Sequence, residues 1–176
     1  MNSVRIEQLS DAAAEIDGLS ELLRSTVDAG ASIGFLRGLT EADAIAYWRR
    51  IAGEVTAGSR AIWVARDPGN ETVIGTVQLA LATPPNGRHR AEVQKLLVHG
   101  KWRRQGIAQR LIAELEGAAR QQGRTLLVLD TSAGPEGARA FYEAIGYRYA
   151  GGIPGFALEP GGTPTTNAIY YKQLAH

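Results

Sequence analysis

The chain has 176 residues, 44% hydrophobic and 21% charged, with a net charge of +1 and no cysteine. These values fit one globular domain, residues 1–176, large enough to bury a core without covalent staples. They exclude disulfides, thiolate metal sites and a cysteine nucleophile, and they fit a reducing, cytoplasmic setting. Met1–Ser10 shows no export pattern, and no apolar run approaches the roughly 18 residues of a membrane span, so no membrane partner is expected.

Val4 to Leu9 alternates apolar and polar residues and reads as a first strand. Ser10 and Asp11 can cap a helix with Ile16, Leu19, Leu23 and Val27 on its apolar face, ended by Gly30. After the loop 31–39, Thr40-Glu41-Ala42-Asp43 resembles a capping box. The helix it opens places Ile45, Trp48, Ala52 and Val55 on one side and closes at Gly58. Strands are predicted over 61–66, 72–82 and 91–98, with Asp67-Pro68-Gly69-Asn70 as the first turn and Pro84-Pro85 ending the second. A helix follows over 106–122, with Ile107, Leu111, Leu115 and Ala118 inward, then a strand over 125–131. A short helix is expected over 136–145, then strands near 147–153 and 168–173 around a glycine- and proline-rich loop. Hairpins first and a βαβ unit in the middle give an α+β fold in three layers (α/β/α), a mixed sheet with helices on both faces.

The charge distribution says more than its total. Between Arg88 and Arg104 six basic residues (Arg88, Arg90, Lys95, Lys101, Arg103 and Arg104) face one acid, Glu92. That suits either a solvated charged face or a patch for a small polyanion. Long nucleic acid would favour a more basic domain, and none is expected as a partner. Within this stretch a strand, Leu96-Leu97-Val98, runs through a turn into a helix opening Arg103-Arg104-Gln105-Gly106-Ile107-Ala108. The first turn of a helix offers unpaired N–H groups and partial positive charge. Gly106 and Ala108 keep side chains out of the way of a pyrophosphate, and Lys101, Arg103 and Arg104 add charge.

Arg103-x-x-Gly106-x-Ala108 matches the Q/R-x-x-G-x-G/A signature of the GNAT N-acetyltransferase superfamily. The later segment Ala138-x-x-Phe141-Tyr142-x-x-x-Gly146-Tyr147 resembles a second element of the same superfamily. Gly30–Phe35, Ala91–Leu96, Leu129–Thr131, Pro154–Ala157 and Ile169–Lys172 look like segments of its tabtoxin-resistance acetyltransferase group. The resemblance implies a mostly antiparallel GNAT-type sheet and acetyl-CoA as acetyl donor, with no metal. It implies a small-molecule amine as acceptor, such as an amino-acid-like toxin or antibiotic, and it leaves a homodimer open.

The resemblance also implies residue roles. Backbone groups of Leu96, Leu97 and Val98 would pair with the pantetheine arm like an added strand. Arg103, Arg104, Gln105, Gly106, Ile107 and Ala108 would hold the pyrophosphate. Many members carry an asparagine where this chain has Pro135, which cannot copy its contact. Tyr142 matches a tyrosine near the cofactor sulfur that protonates the leaving thiolate, or else it is a core aromatic. Glu92 and Asp130 are the candidate bases, and Asp130 can instead bind the acceptor's ammonium. Strand alternation is expected to put Glu92, Gln94, Leu96 and Val98 on one face. Ser32, Phe35 and Phe156, and Tyr170 further on, are candidates for the acceptor pocket, with core packing the competing role for both phenylalanines. His89, His99 and His176 lack metal-ligand spacing. Two other functions fit the same fold, protein or peptide N-acetylation and a non-catalytic acyl-CoA sensor. A Rossmann-type nucleotide binder fails on strand order and on the absent G-x-G-x-x-G.

Overall fold

The computed structural model describes residues 3–31, 33–134 and 138–175. In chain order the elements are β1 (Arg5–Gln8), α1 (Ile16–Asp28), α2 (Glu41–Thr56), β2 (Arg60–Arg66), β3 (Val73–Leu81), β4 (Arg90–Val98), α3 (Ile107–Gln121), β5 (Leu126–Ser132), α4 (Arg139–Ala144), β6 (Arg148–Gly151), β7 (Ala157–Leu158), β8 (Pro164–Thr165) and β9 (Asn167–Gln173). The expected order holds. The β7–β8 hairpin is an addition inside the glycine- and proline-rich loop, with strands of two residues that are too short to show a period. Ser32, Pro135, His176 and the expected helix start at Glu136 lie outside the described residues.

Local chemistry sets the helix starts. The Asp11 carboxylate accepts the Ala13 N–H at 2.9 Å and opens a single 3-10 turn, Ala13–Glu15, ahead of α1. Thr40 Oγ1 accepts the Asp43 N–H at 3.1 Å, the half of a capping box that its sequence promised. The buried face of α2 is Ala44, Trp48, Ile51 and Ala52, so the stripe expected through Ile45 and Val55 is rotated by about one residue.

Seven strands form one sheet in the order β1-β2-β3-β4-β5-β9-β6. Every neighbouring pair is antiparallel except β4–β5, which is parallel. Residues of α1 and α2 (Leu19, Leu23, Trp48, Ile51) pack on one face with Ile62 and Val64. On the other face Leu111, Leu115 and Ala119 of α3 and Tyr142 of α4 pack with Trp63, Val93, Leu127 and Tyr170. This is the three-layer, mostly antiparallel arrangement expected. Each fully buried leucine in these layers contributes about 1.5–3 kcal/mol of transfer free energy.

Two irregularities in the middle of the sheet shape its open edge. The first is a bulge in β4. Gln94 pairs with Gln78 and Leu97 with Thr76, so Lys95 and Leu96 together face the single residue Val77. Lys95 sits at φ 49°, which few residues other than glycine tolerate. The bulge reverses the pleat. Leu97 packs with the α1/α2 core, and Leu96 and Val98 pack against the α3 side with Ala91 and Val93. The expected common face of Glu92, Gln94, Leu96 and Val98 is therefore corrected: Glu92 and Gln94 lie opposite Leu96 and Val98.

The second is a parting of strands. Only Arg90, Ala91 and Glu92 of β4 pair with β5, opposite Leu126, Leu127 and Val128. β5 stays paired with β9 along its whole length, Leu126 to Ser132. Beyond Glu92 and Val128 a gap opens between β4 and β5, floored by neither strand.

Candidate active site

One wall of the gap is the free edge of β4. The His99 N–H bonds to the Ile74 carbonyl at 2.8 Å, and Val98 stands opposite Gly75. In an antiparallel ladder alternate residues turn their amides to the partner strand. Leu97 thus bonds toward β3, while Val98 turns its N–H and C=O toward the gap. Of the three residues expected to pair with a cofactor arm, Leu96 and Val98 face the opening and Leu97 does not. The Val98 carbonyl already accepts a hydrogen bond from Arg103 Nε at 3.3 Å, and among the described residues its N–H is the donor left facing the gap.

Just beyond Val98 the chain makes a single 3-10 turn, Gly100–Trp102, and then enters α3. Gly106 is the N-cap at φ 75°, and no side chain caps the helix. A Cβ at Gly106 would meet nothing within 4 Å, so the approach to the first turn of α3 is clear. Arg103, Arg104 and Gln105 are exposed around it, Ile107 is buried under it and Ala108 is half-buried. Arg104 also has a left-handed backbone, φ 61°. Turned backbone of this kind, at a helix start with no side-chain cap and with guanidinium groups beside it, has the chemistry to accept a phosphate or diphosphate.

The basic stretch is not one patch. Arg88 and Arg90 lie at the far end of β4 from Lys101, Arg103 and Arg104, separated by nine strand residues, about 26 Å of extended chain. Lys95 belongs to neither group, being half-buried on the α1/α2 side. Only Lys101, Arg103 and Arg104 can serve the α3 terminus.

Tyr142 comes to the gap from the α3 side. It is 7% exposed, in edge contact with Phe141 and Tyr147 at ring separations of 5.2 and 5.6 Å, and it lies 6.0 Å from Tyr170. Burial pushes its phenol well above the usual tyrosine range, and the negative charge of Asp130 raises it further. Its hydroxyl has no hydrogen-bond partner among the described residues. The frame that holds it is an ion pair: Lys172 Nζ donates at 2.8 Å to both oxygens of buried Glu116 and at 2.8 Å to the Ile145 carbonyl, joining α3, β9 and the end of α4. Tyr170 is fully buried beside it and belongs to the core, not to an acceptor pocket.

The two candidate carboxylates occupy the opposite side of the sheet. On β5, Leu127 and Leu129 point into the α3 core, so Asp130 falls on the α1/α2 face with Glu92. Asp130 is exposed at the parted end of β5, and Glu92 is half-buried where the strands still pair. On this face lie residues that carry no motif. Arg60 Nη1 donates at 2.7 Å to both Gln78 Oε1 and Gln94 Oε1, Arg60 Nε pairs with Glu54 at 2.7 Å, and Tyr47 is within hydrogen-bond distance of Gln78. Lys95 Nζ donates to the Ile33 carbonyl at 2.8 Å and lies 5.4 Å from the ring centre of Phe35. Phe35 packs edge-on against Tyr47 at 5.2 Å, at the border of the α1/α2 core. Phe156 is 54% exposed, so the core role allowed for it is corrected. Lys95 had one visible signal in the sequence, a charge between Val93 and Leu97 at a position that strict alternation would bury. The others had none.

An open cavity of about 510 Å³, lined by His89, Thr125, Leu126, Gln173, Leu174 and Ala175, lies at the paired end of β4 and β5, away from this chemistry. Among the described residues no cluster of His, Asp or Glu could hold a metal ion, and no helix is long and apolar enough to cross a membrane.

A strand parted from its parallel neighbour and leading into a glycine-capped helix is the arrangement that the resemblance in the sequence implied. The chain belongs to the acetyltransferase (GNAT) family, whose pattern it matches over residues 20–147. It is 37% identical over 89 residues to N-acetyltransferase 8F1 of Rattus norvegicus, a match covering 51% of this chain and 40% of that relative. The chain therefore spans well under two thirds of the length of the curated relatives it matches. Solved structures share the whole fold. The ribosomal-protein-alanine N-acetyltransferase of Brucella melitensis superposes with a TM-score of 0.80 at 20% identity, covering 97% of this chain and 99% of that one. The structure of yncA from Salmonella typhimurium with its cofactor acetyl-CoA gives 0.78 at 16% identity, covering 99% and 95%. Acetyltransferases of the GNAT family use acetyl-CoA as the acetyl donor.

Proposed function

We propose that this chain is an acetyl-CoA-dependent N-acetyltransferase that acetylates the primary amine of a small molecule by direct attack within a ternary complex. The observation that carries the reading is the free Val98 amide at the parted edge of β4, set beside an uncapped α3 terminus. The α3 turn from Arg103 to Ala108 fits a diphosphate, and the edge from Leu96 to Val98 fits an amide-rich arm. The Val98 N–H stands ready for the oxyanion that forms when an amine adds to a thioester carbonyl.

The acceptor approaches from the α1/α2 face, where Glu92 and Asp130 lie. An alkyl ammonium must lose its proton first, at a cost of roughly 4–5 kcal/mol at pH 7. Glu92 or Asp130, directly or through water, takes that proton, and Asp130 can also hold the ammonium before it is lost. Collapse of the tetrahedral adduct forms the amide bond and breaks the carbon–sulfur bond. Tyr142, kept protonated by burial, supplies the proton or hydrogen bond to the departing thiolate on the α3 side. No enzyme nucleophile is required, in keeping with a chain without cysteine. The segments that resemble the tabtoxin-resistance group favour an amine toxin or antibiotic as acceptor and a cytoplasmic place of action. A homodimer belongs to the same reading.

The chain carries no thiol of its own, so released coenzyme A can be followed with a thiol reagent free of protein background. Incubation with acetyl-CoA and a panel of small primary amines is expected to release thiol with at least one acceptor. Acetyl-CoA uptake by calorimetry without turnover of any small amine or peptide would make the chain a binding protein. No uptake by well-folded material would end the reading altogether.

A further inference from the structure

Lys95 is a half-buried cation on the acceptor face that forms no ion pair among the described residues. Arg60 on the same face is spent on Glu54, Gln78 and Gln94. Lys95 has no carboxylate within ion-pair distance among the described residues, and of its three donors one is used, on the Ile33 carbonyl. The rings of Phe35 and Tyr47, at 5.4 and 5.9 Å, stabilise it only in part. Desolvation pulls its ammonium below the usual lysine range, and Asp130 and Glu92 are the carboxylates whose charge opposes that pull. The chain also accepts local strain to place it: Lys95 adopts a left-handed backbone in the bulge, and Gly34, at φ 84°, leaves room for an ammonium that a Cβ would approach to 3.1 Å. If Lys95 served only to fasten the 33–35 loop, a neutral donor would do so without burying a charge.

The acceptor face therefore carries both signs, the carboxylates of Glu92 and Asp130 and the under-compensated ammonium of Lys95, around the point where two strands part. That is the complement of a zwitterion. We propose that Lys95 selects the acceptor by pairing with a carboxylate carried on the same molecule as the reacting amine, so that the site takes amino acids and their close analogues. The inference rests on the acetyltransferase reading above. In it the acceptor's amine lies toward Asp130 and Glu92 and its carboxylate toward Lys95. The carboxylate returns to Lys95 the solvation lost on burial.

The test uses matched pairs: the common amino acids, each against its own primary carboxamide, with acetyl-CoA and thiol detection. The amine of a carboxamide is the less basic of the two and so more often unprotonated, which means that a preference for the acid reports recognition and not reactivity. Wild-type protein is expected to favour the acid by about ten- to a hundredfold in kcat/KM in at least one pair. Lys95→Met should bring that ratio to about one with acetyl-CoA affinity unchanged, and Lys95→Arg should keep part of the preference. Equal use of acids and amides by wild type, or turnover confined to amines without a carboxylate, would overturn the proposal and leave the acetyltransferase reading standing. So would a Lys95→Met variant that loses activity on both members alike. Should that variant fail to fold, the wild-type ratio decides alone. Absence of turnover with every amine, acid or not, is the separate failure of the acetyltransferase reading.

Discussion

Burial of Tyr142 among Phe141, Tyr147 and Tyr170, with Asp130 raising its phenol further, keeps it protonated far above neutral pH. A proton that secure suits an acid that acts once, as the thiolate leaves, and a poor base. Tyr142→Phe is expected to lower kcat about a hundredfold and leave acetyl-CoA affinity within about twofold. The thermal midpoint should hold or rise, because the hydroxyl removed has no hydrogen-bond partner among the described residues. An unchanged kcat would reduce Tyr142 to packing. Lys95 shows the opposite use of burial, since there desolvation disfavours the charged form and the more distant charges of Asp130 and Glu92 oppose that only in part.

At the level of elements, the junction from β4 to α3 was the most legible part of the chain, because glycine spacing and helix-start chemistry are local. Gly106 does cap α3, and its left-handed backbone explains why glycine stands there. Gly106→Ala meets no atom, so its cost is conformational, about 1–2 kcal/mol. It is expected to weaken acetyl-CoA binding about tenfold by calorimetry while far-ultraviolet circular dichroism stays unchanged; full affinity would remove the phosphate role from this turn. The bulge in β4 was not legible as such. Its trace was a conflict: strict alternation puts Lys95 in line with Val93 and Leu97, inside the core. The strand resolves the conflict by an extra residue, which turns Lys95 out of that line and sends Leu97 to the opposite core. The parting of β4 from β5 left no mark in either strand, because it depends on β9, some forty residues further on in sequence, holding β5 in place. Phe156 misled for a related reason, since the hairpin that carries its loop is ordered by pairing too short to have a pattern.

Taken as a whole, the molecule holds several phenols in its interior. Burial raises Tyr47, Tyr142, Tyr147 and Tyr170 above the ordinary value near 10. Groups raised in the folded state contribute stability that is complete below the unfolded pKa and is lost as pH climbs toward the folded one. Lys95, lowered by burial, acts in the opposite sense over the same alkaline range, regaining stability as its ammonium neutralises. Four phenols against one lysine decide the balance, so the thermal midpoint should fall between about pH 10 and pH 11. A midpoint that stays flat across that interval would contradict the buried phenols. The order of strands has a further effect in time. β9 slots between β5 and β6 although both precede it along the chain. While the protein is being made, a growing chain that has released α3 and β5 already carries the glycine-capped turn but not the strand that pairs with β5 along the far side of the opening. The proposed site is therefore expected to be complete only once residues 167–173 have emerged and paired between β5 and β6.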